Sequence, residues 1–428
     1  MTDNKLIYGI GDNPKTAKEW ILYAVQQVLS VIVATLLISQ ICGTPASSCL
    51  IGACIGTLIY QIFTKFRSPM FISSCGATCS AVIGALALPG IAEKNYLMVA
   101  VGGAVTMAIY IVFALIIKFG GIEKINKIFP PTIVGPVTMV IGLNLATFMV
   151  TYTHQSSTWE VIVAILTMFV IALSSHYFKG FMKTIPFLIG IVFGYVLSVI
   201  LTLTGIAPLV DFSVFNPEVW HWYPDLTFLQ WHGADFSWGN FVQVIILFIP
   251  VSICALLEHY SDHKCLSNIV GEDLTVNPGM HRTLMGDGVA SFAGTVLCGL
   301  PNTSYGESIA CVGFSRVASV KVITLSAGIL GLLSFIAPLT AFVSSIPSCV
   351  FGGCALILYG YIASSGLRLI INSKVDLEDN KNLIITSVVL TSGVGGIFLF
   401  SASFTGVALA MVLGVILNLI LRDKKKTS

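Results

Sequence analysis

Apolar stretches of about 17 to 25 residues follow one another along the whole 428-residue chain, and each is long enough to cross a hydrocarbon core of ~30 Å as a helix. Only 10% of the residues are charged, against about 25% in an ordinary soluble domain. A soluble chain cannot hide that much apolar surface, so the bilayer is the solvent. The apolar runs and their punctuation give fourteen candidate spans. Seven lie at 20–42, 47–64, 69–89, 96–118, 132–152, 158–175 and 185–204, and seven more at 239–262, 283–299, 304–316, 319–338, 349–366, 382–400 and 404–421.

The placement of charge sets an expected orientation, because Lys and Arg collect in cytoplasmic loops. With the N-terminus inside, 21 of the 22 Lys and Arg residues fall on the inner side and only Lys94 outside. One missed or invented span would invert every later loop, so the asymmetry supports the span count and predicts both termini to be cytoplasmic. Residues 205–238 carry Asp211, Glu218, Asp225 and Asp235 with Trp220, Trp222, Trp231 and Trp238 and no Lys or Arg, the pattern of an external loop with an interfacial aromatic belt. The expected organisation is a cytoplasmic segment 1–19, a first seven-span repeat 20–204, the external loop 205–238, a second repeat 239–421 and a basic tail 422–428. Residues 1–19 lack the apolar core of a cleavable signal peptide, which leaves the first span as its own insertion signal. The eleven cysteines are scattered, several within apolar runs, as free buried thiols are.

Seven spans on each side of one loop place two equivalent halves in opposite orientations, the arrangement of inverted-repeat transporters. The third segment of each half stands out. Residues 69–81 (PMFISSCGATCSA) and 301–313 (PNTSYGESIACVG) are short, follow proline and are rich in Gly, Ser and Thr. Such paired interruptions point to a mid-membrane site, since unwound backbone at that depth is tolerated where it lines a cavity.

Ionisable groups inside spans are costly and mark function. Four carboxylates qualify: Glu258, Asp262, Asp287 and Glu307. Glu258 and Asp262 share one helix face at i and i+4, which suits a pair that takes and releases a proton. Glu307 lies in the interrupted segment, where it can accept ligand N–H groups while freed amides around Ser304 to Gly306 donate to ligand carbonyls. That pattern fits a planar amide or imide. Tyr305 offers either a stacking ring or plain packing. Asp287 reads equally as a proton relay or a helix cap. His259 and His263 flank the carboxylate face and read as residues near the interface. No metal-ligand spacing, phosphate loop or nucleophile motif appears, so neither an enzyme nor a bound cofactor is expected. Gly52 and Gly56, at GxxxG spacing, allow tight helix contact within or between protomers.

The stretches ALLEHYSDHKCLSNIVGEDL, NPGMHRTLMGDGVASFAGTVLCGLPNTSYGESIA and ILYGYIASSGLRLI resemble the eighth to tenth and twelfth helices of the nucleobase/ascorbate transporter family, nucleobase:cation symporter family 2. The resemblance implies an all-α polytopic fold of fourteen transmembrane segments as a 7+7 inverted repeat. It further implies a core domain moving against a gate domain, short antiparallel strands in the third and tenth segments, and dimerisation through the gate. By the same resemblance, Glu258, Glu307, Tyr305, Gly306 and Gly76 correspond to substrate-binding positions. TSYGE is similar to the TTYGE of uracil permeases, where purine-type members commonly carry Gln-Asn. The chain departs from the pattern at three positions. Asp262 stands where the structurally best known uracil carrier has His, while xanthine carriers and also other uracil-like members have Asp; Ser308 replaces the usual Asn, and Gln27 stands where many members have His.

The expected function is import of uracil with protons across the inner membrane, with Glu258, Asp262 and Asp287 as proton-coupling groups and no nucleic-acid partner. A xanthine or purine symporter is the alternative. An anion exchanger of the same architecture is disfavoured by the two carboxylates at the site.

Overall fold

The computed structural model describes residues 6–89, 94–121, 129–154, 157–217, 220, 222–231, 236–395 and 406–421. The expected spans appear as helices α1 (Ala17–Cys42), α2 (Ala46–Phe63), α3 (Cys79–Leu86), α4 (Tyr96–Gly120), α5 (Pro131–His154), α6 (Thr158–Tyr177) and α7 (Pro186–Leu203) in the first half. The second half supplies α8 (Trp238–Val270), α9 (Met280–Cys298), α10 (Gly306–Ser315), α11 (Val320–Leu333), α12 (Ala337–Ser345), α13 (Ser348–Asn372), α14 (Asn380–Gly395) and α15 (Gly406–Ile420). Two strands, β1 (Ile72–Ser74) and β2 (Asn302–Ser304), pair antiparallel with Ile72 opposite Ser304 and Ser74 opposite Asn302. The chain is therefore an all-α membrane protein with, among the described residues, one small sheet, placed in the two segments where the family resemblance implies strands.

Among the described residues, seven helices are long and apolar enough to cross a bilayer, or eight if the pair α11 and α12, bent by 79°, counts as one. The other apolar runs are shorter or more polar. The third and tenth segments are each a strand followed by a short helix, and α9 carries Arg282 and Asp287 within a run of Gly, Ser and Thr. Three boundaries differ most from the sequence reading, one of them that of α13, which runs past the expected residue 366 to Asn372. The eighth helix continues to Val270 rather than ending near residue 262, which puts Glu258 well inside a helix and Lys264 on its final turns. Residues 319–338 are not one continuous helix but α11, a bend and the start of α12. Residues 396–400 and 404–405 of the last two expected spans, the tail 422–428, and Glu218 and Asp235 of the expected loop lie outside the described residues.

Helix association in lipid depends on close packing rather than on expulsion of water, so small residues mark the contacts. At Gly52 an added Cβ would lie 2.6 Å from Cys298 Sγ on α9, and at Gly56 it would run into the Asn302 amide on β2. The GxxxG spacing thus serves contact inside the protomer. One set of helices is knit around α9, which packs on α4 and α2, with α11 against α2 and α8 against α4. A second set is knit around α13, which packs on α5 and α6, with α14 on α5 and α15. The N-terminal segment lies along the first set: the Ala318 N–H donates to Tyr8 O at 2.8 Å, and the Thr16–Glu19 capping box opens α1.

Candidate functional site

A cavity of about 460 Å³ lies where the two helix sets face each other, within the ~300–1,000 Å³ usual for small-molecule sites. The first set contributes α1, α8 and α10, and the second α13 and the start of α7. Glu258, Glu307 and the backbone of Gly306 line it together, although 49 residues separate the two glutamates in sequence. The local reason is β2. Its pairing with β1 ends the extended segment at Ser304, and α10 begins at Gly306, so Glu307 stands in the first turn of a helix. First-turn amides have no intrahelical acceptor, and the helix dipole gives that end positive character. The cavity therefore offers carboxylate acceptors from two elements beside the first backbone N–H groups of α10, at Gly306 and Glu307, while the Ser308 and Ile309 amides donate to Tyr305 O. An added Cβ at Gly306 would meet nothing within 4 Å, so the residue opens directly onto the space.

Asp262 lies one turn beyond Glu258 on α8, and accepts a hydrogen bond from Ser304 Oγ at 2.7 Å. The next residue back on β2, Thr303, points to the opposite face, as strand alternation requires, and its hydroxyl donates to Asp287 Oδ2 at 3.1 Å. Asp287 sits in the middle of α9 with no exposed surface, which removes the helix-cap reading. Its Oδ2 is 2.6 Å from His259 Nδ1. His259 and His263 were expected near the interface, but both are fully buried. They occupy the stripe of α8 turned toward α2 and α9, where Tyr60 Oη is 2.6 Å from His263 Nε2.

The remaining sequence candidates fall around the cavity rather than in it. Tyr305 is only 4% exposed and is absent from the lining, so its ring packs inside the first helix set and does not offer a stacking face there. Gly76 also lies off the lining. A Cβ there would meet Ile362 Cδ1 at 3.5 Å and Ile38 Cδ1 at 3.7 Å, and Ile362 itself lines the cavity. Gln27 and Ser308, two of the three positions that depart from the family pattern, prove to be partners. Gln27 Nε2 donates to Ser308 Oγ, tying α1 to α10 one residue beyond Glu307. Sequence reasoning missed Lys183 and Arg368 as lining residues. Their only signal was membership of the positive loop set.

Residues 18–402 match the Xan_ur_permease model, described as the Permease family. The chain belongs to this family. It is the family whose helix motifs the second half resembles, a family of transport proteins and not of enzymes. The permease is 37% identical to the uracil permease of Bacillus caldolyticus over 99% of this chain and 97% of that protein. It is 32% identical to the uracil permease of Escherichia coli (strain K12), over 97% and 94% of the two chains. Among solved structures it is similar to the transmembrane domain of the cyanobacterial bicarbonate transporter BicA, with a TM-score of 0.57 at 15% identity over 95% and 98% of the chains. It is also similar to SLC26A9, with a TM-score of 0.67 at 11% identity, covering 95% of this chain and 66% of that longer one. At those identities the likeness concerns the fold alone. The permease is a multi-pass membrane protein by its family and by its own apolar helices.

Proposed function

We propose that this permease imports uracil together with protons by alternating access. The observation that carries the reading is the convergence of Glu258, Glu307 and the α10 amides on one cavity between two helix sets. Uracil presents two ring N–H groups to carboxylates and carbonyls to backbone donors, and the names of the relatives support the same substrate. In this reading the chain forms fourteen segments in two inverted halves, with the set around α9 as core domain and the set around α13 as gate. Tyr305, Gly306 and Gly76 then shape the substrate surroundings, and dimerisation runs through the gate.

Proton coupling follows from charge. Carrying an ionised carboxylate across a low-dielectric barrier costs several kcal/mol, and a protonated or ligand-paired one costs less. Glu258 and Asp262 carry the exchangeable proton in this reading, with Asp287 behind them. Both exposed cations of the lining, Lys183 in the turn before α7 and Arg368 near the end of α13, belong to the set that the positive-inside pattern assigns to the cytoplasm. The cavity is then an inward-open one, and both termini are cytoplasmic.

Asp262 favours a second reading, a xanthine carrier. Uptake of radiolabelled uracil into proteoliposomes, with and without an inward proton gradient, tests both readings when excess xanthine is the competitor. Gradient-driven uptake that resists xanthine and is lost in Glu307→Gln is the expected result. Xanthine transport without uracil transport would transfer the assignment to purines.

A further inference from the structure

We infer that His259 and Asp287 form a proton-holding couple, separate from the Glu258 and Asp262 face, that acts through β2 on the position of Glu307. The inference rests on uracil being the substrate.

The couple is fully buried, its N and O atoms are 2.6 Å apart, and the carboxylate also accepts from two neutral donors of β2, the Thr303 hydroxyl and the Ser304 backbone N–H. With an imidazolium beside a carboxylate the couple is neutral. Loss of one proton leaves a buried net negative charge that no Lys or Arg among the described residues pairs with, so the two states differ strongly in their effect on nearby dipoles.

The surroundings decide which ring takes the charge. His263 Nδ1 is 2.9 Å from His259 O, a carbonyl that can only accept, so Nδ1 carries a hydrogen. Its Nε2 lies 2.6 Å from the Tyr60 hydroxyl, which itself donates to Ser68 Oγ at 2.8 Å. The two imidazoles lie with ring centroids 4.1 Å apart, a distance at which two positive rings repel, so the pair holds one charge at most and the carboxylate draws it to His259. The other titratable groups near the couple are Tyr110 from α4 and, on the neighbouring stripe of α8, Glu258 and Asp262. None of them is a cation.

The route to the site is short. Thr303 binds Asp287 and Ser304 binds Asp262, so adjacent residues of β2 bind carboxylates on opposite faces of the strand. Glu307 follows three residues after Ser304. A change of charge on the couple changes the Thr303 bond and with it the seating of β2. His259 is in this sense a positioning residue.

The test is the pH profile of radiolabelled uracil uptake and binding in proteoliposomes for wild type, His259→Asn and Thr303→Val. Asparagine can place an amide N–H where Nδ1 stood, beside Asp287, but cannot be protonated. A purely structural role would be rescued by it. An imidazole and a carboxyl release a proton at different pH, and removing the ring leaves only the carboxyl to hold it. The alkaline limb of the His259→Asn profile should therefore move by about one unit or more. Thr303→Val should flatten that limb while uracil binding at acid pH stays within about threefold of wild type. A wild-type profile in His259→Asn overturns the inference. If that variant does not fold, an unchanged Thr303→Val profile overturns it equally. Absence of uracil uptake by the wild type at every pH overturns the substrate reading and this inference with it.

Discussion

Replacing Gly56 with alanine places one methyl group against the Asn302 side chain, a contact that β2 cannot absorb without moving. Asn302 is fully buried, and its Nδ2 donates to Gly52 O at 2.9 Å and to Ala290 O at 3.3 Å, tying the strand to α2 and α9 at once. Overpacking of this kind costs about 1–3 kcal/mol. Displacing the amide also forfeits two hydrogen bonds of about 1 kcal/mol each, while the higher helix propensity of alanine returns about 1 kcal/mol. The net loss should be about 2–4 kcal/mol. The assay is unfolding of the purified protein in mixed micelles, run as a double-mutant cycle with Asn302→Ala. Removing the amide removes the clash, so the double variant should be more stable than the sum of the single losses implies, by about 1–3 kcal/mol. Gly328→Ala is the control. A Cβ there meets nothing within 4 Å, and the substitution should be neutral or stabilising by up to about 1 kcal/mol. Wild-type stability in Gly56→Ala, or additivity within about 0.5 kcal/mol, would refute the argument that α2 and β2 are in contact there.

Glu307→Gln exchanges a charged acceptor for a neutral amide, and the loss of about 1.5–3 kcal/mol from a charge-assisted hydrogen bond should weaken uracil binding roughly 10- to 100-fold by equilibrium dialysis. Ser304→Ala removes the 2.7 Å bond to Asp262; at about 1.4 kcal/mol per tenfold change, initial uptake should fall about tenfold, and Ser304→Thr should restore it. Cys265 is exposed beside Lys264, while nine of the other ten cysteines are buried and Cys349 is intermediate. A membrane-impermeant maleimide should therefore label inside-out vesicles at Cys265, lose that signal in Cys265→Ser, and leave right-side-out vesicles unlabelled. Labelling from the outer side only would reverse the proposed orientation.

What the sequence by itself determined is local in origin. Span positions follow from runs of apolar side chains and a fixed rise per residue, and the strands at residues 72–74 and 302–304 lie within two short segments that proline and small residues mark as unsuited to a full helix. The carboxylates could be nominated one by one, since each is costly wherever its segment lies in lipid. Which faces meet is not local, and only the tertiary structure decided it. Gln27 and Ser308 looked like two independent departures until α1 and α10 brought them into one hydrogen bond. His259 and His263 looked interfacial because they follow the span centre, yet α8 runs eight residues beyond the expected end and turns that stripe onto Tyr60 and Asp287. Tyr305, next to the cavity in sequence, is directed into packing by the turn from β2 into α10. In each case the identity of the residue limits what it can bond to, while the partner is supplied by an element far away in the chain, and no pattern along one segment carries that information.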